Sequence, residues 1–297
     1  QCYVVTDAAQ VDGAELEDAL ARLEALPDRR GYVTEVFCER SRYFHPDNGR
    51  RIDAIREGVD DLYGDHVLRP VLLTALLEAA DRVDSTVGLQ MAYLKEWAPR
   101  ALRPLRLAAP RLTPGTGRAV RGDAVQLAPL LDPVDLAYLD PPYNQHRYFT
   151  NYHVWETIVR WDAPEHYGVA CKRLDARDDA TRSPFNSRRS MPAALAGVIA
   201  DVRAETVVVS FSNEGFVPLP ELVEMCGVRE HPVEVLAFDT RRYIGQRIGV
   251  FGPHGRKVGV PGPERNVEYL LVSAPEHVRT ELLRTPSGQV LAGGRPS

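Results

Sequence analysis

Apolar residues recur at helical spacing through the first hundred positions. Leu16, Leu20, Leu23 and Leu26 fall every three or four residues and Pro27 closes the run, which predicts a first helix. Asp47 or Asn48 is placed to cap a second, with Ile52, Ile55, Val59 and Leu62 on its inward face. Residues 67–83 read as a third helix, with Pro70 tolerable in its first turn, and 85–97 as a fourth. The stretch 99–117 holds four prolines and two glycines and reads as a connecting loop.

The pattern then changes. Residues 119–123 read as a short strand ending in Gly122-Asp123, and Val134-Asp135-Leu136-Ala137-Tyr138-Leu139 as a buried strand. Helices are expected over 152–161, 191–202 and 221–226, with a polar, arginine-rich, mobile loop over 172–189. A strong buried strand spans 206–212, and 233–238 with 266–272 form a closing pair of strands around a stretch rich in glycine. Strands separated by helices imply a parallel α/β sheet. Three strand ends carry polar residues: Asp123, Asp140 and Ser212-Asn213-Glu214. Ligands bind at the carboxyl ends of such strands, so the three are expected to line one crevice.

Composition narrows the class. The chain has 297 residues, 44% hydrophobic and 26% charged, enough for a substantial core in one large domain with an insertion, or in two. No apolar run reaches the roughly 18 residues of a membrane span, so no membrane is expected. The opening Gln1-Cys2-Tyr3-Val4-Val5 is not a signal peptide and lacks an initiator Met. Cys2, Cys38, Cys171 and Cys226 are scattered, which points to reduced thiols in a cytoplasmic protein and away from a zinc site. The net charge of −5 argues against wholesale coating of nucleic acid. Yet 100–121 carries six arginines and no acid, and 241–265 carries six bases against Glu264 alone. Local basic segments on an acidic chain fit a protein that grips phosphates in one groove.

The most informative chemistry is Asp140-Pro141-Pro142-Tyr143. Two prolines fix two φ angles and remove two donors, while their carbonyls remain free to accept. Asp140 adds a carboxylate and Tyr143 a flat face. A rigid acceptor-lined ledge at a strand end suits a planar molecule with an amino group, such as a nucleobase. Ser210 and Ser212 lack the GxSxG context of a hydrolase nucleophile.

These residues carry a family resemblance. Asp140-Pro141-Pro142-Tyr143-Asn144, followed by Asn151-Tyr152-His153, resembles the adenine-specific DNA methyltransferases of the D12 (Dam-like) class. Arg42-Tyr43-Phe44 with the run 48–56 is similar to that family's helical insertion, Gly122-Asp123 to the acid before its catalytic strand, and 210–215 to the strand after it. The resemblance implies a Rossmann-like S-adenosylmethionine-dependent methyltransferase sheet, incomplete at its N-terminus, with a helical insertion domain. Residues 1–30 would be a remnant of the catalytic domain, 31–115 the insertion for DNA target recognition, and 116–297 the catalytic domain. The family's Gly-rich cofactor loop is not found in the expected order, and the glycines near Gly245 do not sit between a first strand and a helix. The expectation is therefore an upstream segment holding about half of the cofactor pocket, and weak cofactor binding by the 297 residues alone.

The resemblance further implies transfer of a methyl group from S-adenosylmethionine to the exocyclic amine of an adenine flipped out of duplex DNA. Asp140, Pro141, Pro142 and Tyr143 would be catalytic, and Asp123 with Asp140 would contact the cofactor. Arg42, Tyr43, Tyr148, Asn151, Tyr152, Arg241, Arg242, Arg247, Arg256 and Lys257 would contact DNA, alongside Phe149. Double-stranded DNA is the expected partner, with a cognate restriction endonuclease as a second. Asp123 read as a turn acid, and Tyr43 and Tyr152 as packing residues, stay open as readings. So do methylation of cytosine N4 and a non-catalytic DNA-binding remnant.

Overall fold

The computed structural model describes residues 7–241, 265–284 and 289–291. In chain order the elements are α1 (Gly13–Glu24), a π-helical segment (Val33–Glu39), α2 (Pro46–Tyr63), α3 (Arg69–Asp81), the short α4 (Ala124–Leu127), β1 (Val134–Leu139), α5 (Tyr148–Asn151) and α6 (His153–Arg160). There follow the two-residue strands β2 (His166–Tyr167) and β3 (Lys172–Arg173), then α7 (Met191–Asp201), β4 (Ala204–Ser212), α8 (Leu219–Gly227), β5 (Val233–Arg241), β6 (Arg265–Ser273), α9 (Glu276–Arg284) and β7 (Gln289–Leu291). They form two compact units: Gln1–Arg121 with Tyr148–Thr181, and Gly122–Arg147 with Arg182–Ser297.

The first unit is helical. Asp12 caps α1 by accepting from the amides of Ala14 and Glu15 at 2.7 and 3.0 Å, and Leu16, Leu20 and Leu23 turn inward. In α2 the cap is His45 with Pro46 in the first turn, two positions before the expected Asp47 and three before Asn48. Asn48 is instead buried. Its amide nitrogen donates to the carbonyls of Ala101 and Arg103, and its oxygen accepts from the Leu105 amide. One side chain thereby fastens the proline-rich segment after residue 99. Ile52, Ile55 and Val59 face the core as expected, whereas Leu62 is 55% exposed because the helix ends at Tyr63 before that face is covered.

Two expectations for this unit change. Residues 85–97 form no helix. Gly88 turns at φ +97°, and the backbone bonds elsewhere: Ser85 N–H to the Tyr43 carbonyl, Gln90 N–H to Asn151, Leu94 N–H to Ser85. Tertiary hydrogen bonds have replaced the helical ones. The stretch expected to be a mobile loop is anchored at its start, where Arg173, 2% exposed, donates two bonds to Asp162 and two to Asp175, all at 2.7–3.0 Å. Short 3₁₀ turns over Leu174–Arg177, Asp179–Thr181 and Pro184–Asn186 follow.

The second unit is a five-stranded mixed sheet in the order β1-β4-β6-β5-β7. β1 and β4 are parallel, Val134 opposite Ala204 and Leu139 opposite Val209. β4 with β6, β6 with β5, and β5 with β7 are antiparallel. The expected closing pair is therefore present, but the all-parallel sheet becomes a mixed one, because β5 and β6 are adjacent in sequence and pair as neighbours. Its core gathers Met191, Leu195 and Ile199 of α7, Val207, Val209 and Phe211 of β4, and Leu222 and Cys226 of α8. No strand forms at 119–123; Asp123 caps α4 instead, its carboxylate accepting from the Val125 amide at 2.9 Å. β1 is an edge strand, and it is not buried: Val134, Leu136 and Tyr138 are 47, 55 and 55% exposed. Nothing among the described residues covers that edge. No helix among the described residues is long and apolar enough to cross a membrane.

Candidate active site

Parallel pairing puts the carboxyl ends of β1 and β4 side by side, which fixes where Asp140 and the Ser212-Asn213-Glu214-Gly215 turn emerge. Asp140 is exposed and Pro141 beneath it is buried, so the acid projects from a backbone anchored in the fold. Tyr143 is half-buried. Its carbonyl accepts from the Phe216 amide at 2.9 Å, and its ring meets Phe211 edge-on with centroids 5.9 Å apart. Beyond it, the Asn186 side-chain amide donates to the carbonyls of Asn144 and His146 at 2.9 and 3.0 Å. Asn144 in turn accepts from the His146 amide at 2.9 Å. The loop after β1 is thus held at three points, and the two prolines leave little freedom between them.

The turn after β4 is equally constrained. Asn213 donates its amide to the Val267 carbonyl and accepts from the Val267 amide. Gly215 approaches Phe211 so closely that a Cβ there would lie 2.2 Å from the ring. Only glycine lets the turn pass and leaves Phe211 beneath Tyr143. Asn186, Phe211 and Phe216 were missed as site residues in the sequence. Phe211 and Phe216 flank the Ser212–Gly215 turn, which is a usable signal, but Asn186 carries none because it lies in a segment without periodicity.

The remaining expected site residues divide. Asp123 spends one carboxylate oxygen on its helix cap. In the first unit, Tyr43 is fully buried, its hydroxyl donating toward the carbonyls of Gln90 and Ala170 at 2.8 and 2.9 Å, so it packs the core and cannot reach DNA. Asn151 is 5% exposed and its carbonyl receives the Gln90 amide, which makes it structural as well. Arg42 lays its guanidinium 4.8 Å over Trp97. Tyr148 and Tyr152 remain at the surface, 51 and 37% exposed, as an edge-on pair 6.0 Å apart. Phe149 faces inward enough for Arg160 and Arg173 to lie over its ring. Arg241 closes β5 opposite Arg265, whereas Arg242, Arg247, Arg256, Lys257 and the glycine-rich stretch lie outside the described residues.

The basic run after residue 100 separates into two kinds. Arg100 is engaged with Asp84. Arg103, Arg106, Arg111, Arg118 and Arg121 are exposed and have no ion pair among the described residues. Burial pushes the Cys38 and Cys226 thiols up, the latter to about 12, so they are inert.

The family model of the D12 class N6 adenine-specific DNA methyltransferases matches residues 3–187, which include the whole Asp140–Tyr143 ledge. The chain belongs to this family. It is similar to the type II methyltransferase M.NlaIII of Neisseria lactamica, 31% identical over 218 residues, covering 70% of this chain and 64% of that protein. It is also similar to the modification methylase LlaI of Lactococcus lactis subsp. lactis, at 30% identity over 68% of this chain and 33% of the relative. For the type II methyltransferase M.FokI of Planomicrobium okeanokoites the identity is 32%, over 65% of this chain and 30% of the relative. The chain thus spans less than two thirds of the length of these relatives. No solved structure matches it significantly.

Proposed function

We propose that the chain serves a DNA (adenine-N6)-methyltransferase acting on a base flipped out of double-stranded DNA. The observation that carries this reading is the exposed Asp140 at the end of β1, on a backbone fixed by Pro141-Pro142 and by the Tyr143–Phe216 hydrogen bond, in a chain of the D12 family. An adenine amine is a poor nucleophile because its lone pair is delocalised into the ring. The Asp140 carboxylate and the Pro141 carbonyl accept the two amino hydrogens, which favours a pyramidal nitrogen with its lone pair directed outward. Tyr143 offers its face to the base. Acceptors fixed in advance cost no reorganisation as positive charge develops on nitrogen.

The methyl donor assigned is S-adenosylmethionine, which supplies a sulfonium-activated methyl group. The described residues fit the amine-holding half of such a site and not a donor cradle. β1 is followed by two prolines and β4 by a turn pinned to β6, so neither offers a glycine-rich loop opening into a helix. No step is therefore assigned to residues around the donor. Residues 31–115 contribute target recognition, and the exposed arginines from Arg103 to Arg121 contribute phosphate contacts. Similarity to a type II methyltransferase and a modification methylase supports a restriction–modification setting, for which the reading adds a cytoplasmic location and an endonuclease as the functional partner.

The test is nucleoside analysis of plasmid DNA from cells expressing the natural full-length gene. N6-methyladenine is expected, and Asp140→Ala is expected to reduce it at least ~100-fold while leaving thermal stability unchanged. N4-methylcytosine in its place, or no modified base, would overturn the reading.

A further inference from the structure

The ledge has a cation beside it that the mechanism above leaves unused. Within the second unit, the segment 183–190 runs against the loop after β1. Asn186 donates its side-chain amide to the carbonyls of Asn144 and His146 at 2.9 and 3.0 Å. Next but one along the chain, the Arg188 guanidinium lies over the Phe216 ring, 5.4 Å from its centroid. Phe216 is the residue whose amide donates to the Tyr143 carbonyl at 2.9 Å. Arg188 is thus bracketed by Asn186 and Phe216, each bonded to the loop that carries Tyr143. Its backbone is fixed as well. Phe185 is buried in the core, and the Ser187 carbonyl accepts the amides of Ser190 and Met191 at 3.2 and 2.9 Å. Arg188 itself is exposed and has no ion pair among the described residues.

What a cation there holds follows from its surroundings. Residues 180–200 contain Arg182, Arg188 and Arg189 and no acid. A guanidinium laid on an aromatic ring uses its face and keeps its N–H donors, which lie in its plane, for an anion. That fork matches the oxygens of a phosphate or a carboxylate. A base drawn to Asp140 brings its sugar and both adjoining phosphodiester linkages with it, so a phosphate is the anion that the ledge itself delivers. We propose that Arg188 seats a phosphodiester adjoining the extruded adenosine, aimed there by the Phe216 ring. The proposal rests on the methyltransferase reading above and adds a substrate contact to it. By holding the strand in its extruded course, the contact offsets part of the unstacking cost. Phe216 then serves the site twice, with its backbone under the ledge and its ring under the cation.

The experiment uses the natural full-length protein and duplexes bearing its methylated word, with one linkage at a time replaced by an uncharged methylphosphonate. Absence of wild-type methylation on the unmodified duplex would sink the parent reading, and this contact with it. Given that methylation, the wild type is expected to lose roughly tenfold in kcat/KM when a linkage adjoining the target is neutralised. Arg188→Ala is expected to lose about as much on the unmodified duplex. Neutralising that same linkage should then cost the variant less than about twofold more, while linkages further away still matter to it. Arg188→Lys, which keeps the charge without the fork, should fall between the two enzymes. Affinity for S-adenosylmethionine should not move. The proposal is overturned if the wild type tolerates neutralisation of both adjoining linkages, or if Arg188→Ala retains full kcat/KM. It is equally overturned if the losses from variant and neutralisation multiply at both adjoining linkages. Weaker donor binding by Arg188→Ala would also overturn it, by assigning the cation to the donor's carboxylate.

Discussion

The carbonyl of Tyr143 accepts the backbone N–H of Phe216 at 2.9 Å, joining the loops that leave β1 and β4. The joint depends on Gly215, where a Cβ would strike Phe211 at 2.2 Å and displace the ring that supports Tyr143. Gly215→Ala is expected to cost about 1–3 kcal/mol, read as a lower urea midpoint with an unchanged slope. Methyl transfer should fall further than stability explains, through kcat more than KM.

Arg173 is a buried cation of the helical unit, shared by Asp162 and Asp175. The paired carboxylates raise its pKa despite burial, and Arg173 holds the Asp162 carboxyl below its usual range. Arg173→Ala removes the cation shared by two partly exposed acids and should destabilise the unit by about 1–3 kcal/mol. Hydrogen exchange is expected to show the loss first at α6 and β3.

His153 is fully buried, and burial pushes its pKa down to about 4, with Lys172 and Arg173 acting in the same direction. Unfolded, the ring binds its proton near pH 6.5. The unfolded chain therefore takes up a proton that the folded chain refuses, and stability falls as pH drops from about 6.5 to about 4. The slope contributed is at most ~1.4 kcal/mol per pH unit. Chemical unfolding at several pH values should show it, and His153→Gln should flatten that window while leaving the profile above pH 7 unchanged.

The exposed arginines at 103, 106 and 111 predict a salt-sensitive grip on DNA. Each change to Ala should weaken binding to all sequences alike and reduce the slope of log affinity against log salt by about one. Arg100→Ala, which breaks the contact with Asp84, should instead lower the melting temperature. A titration series at several salt concentrations separates the two behaviours.

Much of this architecture was legible because it is local. The leucine spacing of α1, the apolar run of β1 and the β-branched run of β4 each specify one element. What was not legible depends on distant partners. Residues 85–97 have helical composition, yet Tyr43 and Asn151 capture their backbone groups. Tyr43 looks like a surface aromatic beside Arg42 until its hydroxyl is seen to be satisfied inside. An apolar strand reads as buried, but exposure depends on its neighbours, and β1 has a neighbour on one side only. For the site, the Asp140–Tyr143 ledge announced itself, whereas Asn186, which holds the Asn144 and His146 carbonyls, did not, because it lies in a segment without periodicity.

The open side of β1 gives direction to whatever lies along it. Its unpaired amides and carbonyls accept a neighbour of either polarity. A co-directional segment would finish level with Asp140, and the turn beyond it would present free N–H groups there, favourable to negative ligands. A counter-directional one would start at that level and bring its preceding connection instead. The orientation of the next ribbon thus governs whether donors crowd around the carboxylate.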